Sequence, residues 1–313
     1  MKDELLYQGR GERSIVRSVP RYKESRVDPP IGYVADQDLA DAVNTAIFLR
    51  QPLLVMGEPG TGKTQLAHSI AWEFDLPLHK FNTKVNSIGT DLFYRYDLLL
   101  HFHDTQTLKH PEHLSKYIQY AALGKAILFS NEPARVADFL PERMRLAHSE
   151  ATRSVVLIDE VDKAPRDFPN DILAEMEEAS FEVREAGWSI NSDPDLAPIV
   201  VLTSNQERNL PDAFLRRCVF YYIPFPDETT LREIVRRRLG SDPMDAAIHT
   251  FLDMRKDDQL IKKPATAELI SWLRELGRKG VGENELGPGS DTARCSYSVL
   301  LKNKEDFERY TRR

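Results

Sequence analysis

Residues 57–64 read Gly57-Glu58-Pro59-Gly60-Thr61-Gly62-Lys63-Thr64, a G-x-x-x-x-G-K-T loop between an apolar strand and an amphipathic helix. Before it, Pro52-Leu53-Leu54-Val55-Met56 is an unbroken apolar run, as expected of a central parallel strand buried on both faces. After Lys63, the residues Leu66, Ala67, Ile70, Ala71 and Phe74 recur at three- and four-residue steps, which predicts a helix with its positive N-terminus at the loop. Gly57, Gly60 and Gly62 permit positive φ and close backbone approach, so consecutive amides can be aimed at phosphate oxygens. Lys63 adds a mobile positive charge, and Thr64 a hydroxyl for Mg²⁺.

The whole chain sets limits on what surrounds this loop. Its 313 residues can bury a large core and divide into two domains. Lys and Arg number 42 against 49 Asp and Glu, a net charge of −7 that gives no global attraction to nucleic acid or anionic membrane. No apolar run approaches the ~20 residues of a membrane span, and the N-terminus lacks the apolar core of a secretion signal, so a cytoplasmic protein is expected. Cys218 and Cys295 do not amount to a disulfide framework or a thiolate metal site and are read as structural thiols.

Taken in order, residues 1–27 carry seven basic side chains against four acidic ones and read as a basic arm. A helix is expected over Asp36 to Leu49, with Tyr33 and Val34 ahead of it as candidate contacts to a nucleotide base, and a short strand over Leu78 to Asn82. The next strongly apolar strand is Val155-Val156-Leu157-Ile158. The interval, read as helical over Tyr117 to Leu128 and Arg135 to Leu146 with a polar loop from His101 to His113, is too long for a simple crossover and suggests an insertion. His101, His103, His110 and His113 are read there as solvated loop residues and not as metal ligands.

The strand at Val155 ends in Asp159-Glu160. Downstream of a phosphate-binding loop, such a pair fits nucleotide hydrolysis: Asp159 holding Mg²⁺ through water, Glu160 deprotonating the attacking water. Asn170 to Ala179 reads as a helix and Phe181 to Ile190 as a hairpin appendage turning at Ala186-Gly187. Ile199 to Leu202 is another buried strand that delivers Thr203, Ser204 and Asn205 to its end, where the Asn205 amide can hold the lytic water or the γ-phosphate. Arg216 and Arg217 precede the strand Val219 to Ile223, read as buried; an arginine finger reaching a neighbouring subunit's phosphate, or a surface ion pair with Asp212 or another carboxylate, would satisfy their charge. From Asp227 only helical patterns follow: one capped by Asp227 and Gly240, others over Ala246 to Met254 and Pro264 to Leu276, a Gly-rich loop over Gly277 to Ser290, and a last helix around Tyr297 to Tyr310.

The segments GEPGTGKTQLA (57–67), DLFYRYD (91–97), LIDEVDKAPRDFPNDIL (157–173) and TSNQERNLPDAFLRRCVFYYIPFP (203–226), in this order, resemble AAA+ ATPases, and within them the MoxR family. The resemblance spans about residues 28–278. It implies an α/β fold, a three-layer αβα phosphate-loop NTPase domain with a parallel sheet, an insertion at its second helix and a hairpin before the Asn205 strand, followed by a small all-α lid. The expected organisation is an arm at 1–27, a nucleotide domain at 28–227, and a lid and tail at 228–313. By motif position, Gly57 to Thr64 and Gln65 contact ATP, with Thr64 and Asp159 on Mg²⁺. Glu160 is the base, Asn205 the sensor, and Arg217, ahead of Arg216, the finger. The family also implies a homo-oligomeric ring, usually hexameric, and a partner with a von Willebrand factor A domain, through which a protein client is remodelled. One departure stands out: similar proteins often begin a lid helix with Ser-Pro-Arg, where this chain has Lys263-Pro264-Ala265. The alternatives are a nucleotide-gated scaffold with little turnover and a nucleic-acid-linked motor, the latter opposed by the acidic balance. A GTPase is disfavoured because Thr83-Lys84-Val85-Asn86 lacks the acid of a guanine-reading motif.

Overall fold

The computed structural model describes residues 32–107, 113–205, 208–282, 286 and 296–311. The basic arm at 1–27, His110, Cys295 and half of the Gly-rich loop lie outside them. The chain falls into two units, one of residues 35–225 and one of residues 226–311 together with Gly32 to Val34.

The first unit is built on a five-stranded parallel sheet, order β2-β5-β8-β1-β9. Its strands are β1 (Leu53–Gly57), β2 (Leu78–Asn82), β5 (Val155–Asp159), β8 (Ile199–Ser204) and β9 (Val219–Ile223). The three central strands are apolar up to their C-terminal tips because helices cover both faces, so neither side chain parity meets water. On one face lie α1 (Gln37–Leu49) and α2 (Lys63–Glu73), which bury Leu39, Val43, Leu66 and Ile70. Leu54, Val156, Ile158 and Leu202 point to the other, into a core shared with α4 (Ala122–Phe129) and α7 (Phe168–Asp171). Each fully buried aliphatic side chain there contributes roughly 1.5–3 kcal/mol.

The interval before β5 departs from its expected form. The helix expected from Tyr117 begins only at Ala122: Tyr117 ends a 3₁₀ turn, and β4 (Ile118–Tyr120) pairs antiparallel with β3 (Tyr94–Tyr96), with Tyr94 opposite Tyr120. Period-two signals three residues long are too short to be read against a helical pattern. The polar stretch from His101 is helix α3 (Leu98–Thr107), not loop. Short helices α5 (Pro133–Val136) and α6 (Glu142–Ala147) replace the single one expected, broken where Pro141 cannot donate. The helix expected over Asn170 to Ala179 is likewise divided between α7 and α8 (Leu173–Glu178). The hairpin β6 (Ser180–Val183) and β7 (Trp188–Asn191) turns at Gly187, as read, but it is core and not appendage. Phe181, Val183 and Ile190 are buried, and Phe181 stacks on Phe93 at 5.4 Å. α9 (Asp212–Leu215) leads into β9, an edge strand with Phe220 53 % exposed, so β9 is not buried as its composition suggested.

The second unit is helical: α10 (Glu228–Leu239), α11 (Asp245–Lys256), α12 (Thr266–Lys279) and α13 (Lys304–Thr311). Asp227 caps α10 through the Thr230 amide at 2.8 Å, and Gly240 closes it in the left-handed conformation. Tyr297 to Tyr310 is two pieces, a 3₁₀ turn and α13, not one helix. Trp272 and Phe251 are fully buried in this unit, and the Trp272 indole donates to Ser296 Oγ at 2.7 Å. On α10, Arg236 and Arg237 pair with Glu233, and Arg237 also donates to the Tyr33 carbonyl. Among the described residues, no helix is long and apolar enough to cross a membrane.

Candidate active site

The site forms where β1, β5 and β8 end, because parallel strands deliver all their C-termini to one edge. Gly57 ends β1 with φ 156°, and a Cβ there would fall 2.6 Å from the Ile223 carbonyl oxygen. Gly60 and Gly62 take φ of 80° and 96°, values costly to side chains with a Cβ. Gly62 is the N-cap of α2 and offers no side chain to the helix's first amides, which leaves them to an anion. Thr61 Oγ1 donates to the Glu58 carbonyl at 2.9 Å, while Pro59 and Gly60 form the exposed crest of the loop.

Lys63 is buried against this loop and donates to the carbonyls of Gly57 at 2.8 Å and Glu58 at 2.9 Å. Burial pulls its pKa below the ordinary lysine value, opposed by the charges of Asp162, Asp159, Glu160 and Glu58. Thr64 Oγ1 donates to Asp159 Oδ1 at 2.9 Å. The same oxygen accepts from Thr203 Oγ1 at 2.7 Å, and Lys80 Nζ lies 2.7 Å from Oδ2. Burial pushes the Asp159 carboxyl up, but the hydrogen bonds from Lys80, Thr203 and Thr64 outweigh it and leave the pKa below the usual carboxylate value. Asp159 is therefore an anion at neutral pH. A hydroxyl beside a carboxylate is an all-oxygen donor pair, which fits a hard cation such as Mg²⁺.

Glu160 sits beyond the strand end in the left-handed region, φ 58°, a conformation that costs a non-glycine residue on the order of 1 kcal/mol or more. Its amide donates to Thr203 Oγ1 at 2.9 Å. Its carboxylate accepts from Asn205 Nδ2 at 3.1 Å on one oxygen and from Lys163 Nζ at 2.7 Å on the other. Asn205 is itself fixed, its amide donating to the buried Asp162 at 3.1 Å. Gln65 lies in the first turn of α2 with its Oε1 buried and unpartnered among the described residues.

The structure thus brings the loop residues, Thr64, Asp159, Glu160 and Asn205 together. It does not bring Arg216 and Arg217 to them. Both are exposed and precede β9, so they stand at the N-terminal end of the sheet, a strand length of roughly 16 Å from the edge that carries the loop. Arg217 makes the surface ion pair expected of it, with Glu177 at 3.2 Å as the carboxylate. Cys218 donates to the Phe214 carbonyl, and burial pushes its thiol up to about 12, which makes it unreactive. Among the described residues no three His, Cys, Asp or Glu side chains gather to hold a metal. His101 bonds Tyr96 and stacks on Tyr117 at 4.6 Å, and His113 meets Ser115 at 2.9 Å.

Reading the sequence missed four contributors: Lys80, Asp162, Lys163 and the hydroxyl of Thr203. Neither Thr203 nor Lys80 carries a local signal: the β5–β8 pairing sets Thr203 beside Asp159, one step beyond Ile158 opposite Leu202, and the β2–β5 pairing aligns Lys80 with the acidic strand.

A parallel sheet between helical layers, with a glycine-rich loop at a helix N-terminus and an acidic strand tip beside it, defines a phosphate-loop nucleotide-binding protein. The model of the AAA family, ATPases associated with various cellular activities, matches residues 53–225, and the chain belongs to that family. Among curated proteins no relative matches. Solved structures that it resembles include a point mutant of RuvB from Thermotoga maritima, 15 % identical, with 91 % of this chain and 73 % of that one covered at a TM-score of 0.49. The RuvB Holliday junction branch migration motor of the same organism is 16 % identical, with coverages of 88 % and 67 % and a TM-score of 0.43. A chain from a structure on katanin self-assembly is 17 % identical, with coverages of 90 % and 82 % and a TM-score of 0.41. Likenesses this distant carry no argument about substrate or assembly.

Proposed function

We propose that this chain is a cytoplasmic, MoxR-like, ATP-hydrolysing motor that works as a homo-oligomeric ring, usually hexameric in that family, and remodels a protein client with a partner carrying a von Willebrand factor A domain. The observation that carries the hydrolytic reading is the Glu160 carboxylate, held by Asn205 and Lys163 beside the Thr64–Asp159 pair. In this reading the loop amides and Lys63 bind the phosphates, with Gln65 at the start of the helix beneath them. Thr64 and Asp159 hold Mg²⁺, which would offset the charge developing on the transferred phosphoryl group. Glu160 takes the proton from the attacking water, and Asn205 fixes the geometry of that carboxylate. The distance of Arg216 and Arg217 from their own chain's loop supports Arg217 serving the site of an adjacent subunit, as a finger supplied in trans.

The partner and client rest on the resemblance of the quoted segments alone. A nucleotide-gated scaffold is the second reading, favoured by the start of α12: Ala265 is its N-cap, where similar proteins carry arginine, and Lys263 is engaged by Asp258 at 3.4 Å. Steady-state phosphate release decides between the two. The motor reading predicts magnesium-dependent turnover of ATP in preference to GTP, reduced to background in Lys63→Ala together with nucleotide binding. Tight ATP binding without measurable turnover would instead identify the scaffold.

A further inference from the structure

The outer edge of the main sheet is β2, which reaches the nucleotide site only through the Lys80 side chain. β2 pairs only with β5 in that sheet. The Val155 amide donates to the Pro77 carbonyl and the Thr83 amide to the Asp159 carbonyl. Parallel pairing alternates along a strand, so the odd-numbered residues of β2 serve β5, and the main-chain groups of Leu78, Lys80 and Asn82 turn outward. Along this edge runs an open groove of about 390 Å³, lined by Leu78 to Phe81 on β2 and by Gln119 to Ala122 where β4 passes into α4. Lys80, Arg95 and Lys125 line it with one carboxylate, Asp91, and the Lys80 ammonium is already paired with Asp159 at 2.7 Å. Asp91 is already engaged by Arg95 at 3.1 Å and by the Ile88 amide. An unpaired edge is a template for another strand, and the surplus cation, Lys125, beside the exposed Arg95 selects what that strand carries.

We propose that the β2 edge and its groove dock an extended acidic segment of a partner protein as a sixth strand. Main-chain hydrogen bonds at Leu78 and Lys80 supply affinity, and carboxylates on alternate residues of the segment meet Lys125 and Arg95. The chain's own first 27 residues do not suit the groove, because their seven basic side chains outnumber four acidic ones.

The test uses the full chain without nucleotide, so its outcome is independent of the hydrolytic reading. A fluorescent hexapeptide of alternating valine and glutamate is titrated by anisotropy, alongside two versions N-methylated at odd or at even positions. Docking as a strand predicts saturable binding that one methylated version loses and the other keeps. It also predicts at least tenfold weaker binding to the Arg95→Glu, Lys125→Glu double variant, with the single Lys125→Glu variant as substitute if the double variant does not fold. Absence of saturable binding, equal behaviour of the two methylated peptides, or unchanged affinity in the charge-reversed variant would overturn the proposal. So would displacement of the peptide by an oligonucleotide at equal concentration, which would mark an unspecific anion patch.

Discussion

Thr203 holds both acidic residues of the site with a single hydroxyl, donating to Asp159 and accepting from the Glu160 amide. The second contact bears on a residue already held at positive φ, so its loss frees the Glu160 backbone as well as its carboxylate. Thr203→Val keeps the shape and removes both bonds, at about 1–3 kcal/mol for polar groups left unpaired. Turnover is expected to fall about 10- to 100-fold at saturating ATP, with Thr203→Ser restoring most of it. A Val variant as active as the parent would show that the hydroxyl does not position the acids. At this scale much of the candidate site was legible. Lys63, Thr64, Asp159, Glu160 and Asn205 declare themselves because each belongs to a contiguous motif whose spacing carries the chemistry. Lys80 and Thr203 act across strands, and no local pattern announces a partner that only sheet pairing supplies.

Among the elements, α4 is the most tightly constrained. A Cβ on Gly124 would lie 2.1 Å from the Phe93 carbonyl oxygen, so the helix can lie against the β3 segment only if that position is glycine. Helix propensity favours alanine there by about 1 kcal/mol, but backbone cannot yield as a flexible side chain does. Gly124→Ala is therefore expected to destabilise the protein by about 2 kcal/mol or more, read as a lower urea midpoint with an unchanged slope. Equal or greater stability would mean that α4 does not pack as described. The long strands and lid helices were legible from apolar runs and caps such as Asp227 and Gly240. The insertion was not, because β3 and β4 have three residues each and their register comes from each other. Nor was the burial of the hairpin, since Phe181 and Ile190 alternate equally well in an appendage or a core.

For the whole molecule, the separation of Arg217 from its own chain's loop gives the ring reading a direct consequence. Glu160→Gln and Arg217→Ala subunits, each inactive alone, are expected to recover part of the turnover when mixed, because one kind of junction then joins an intact glutamate to an intact arginine. No recovery at any ratio would count against a site shared between subunits. Beneath the ring reading lies one assignment: Glu160 is the base for ATP bound at this loop. The measurement closest to it follows bound nucleotide and released phosphate in Glu160→Gln with Mg²⁺ and ATP. ATP is expected to be retained at the parent's affinity while phosphate release falls at least 100-fold; phosphate release at the parent's rate would show that Glu160 is not the base.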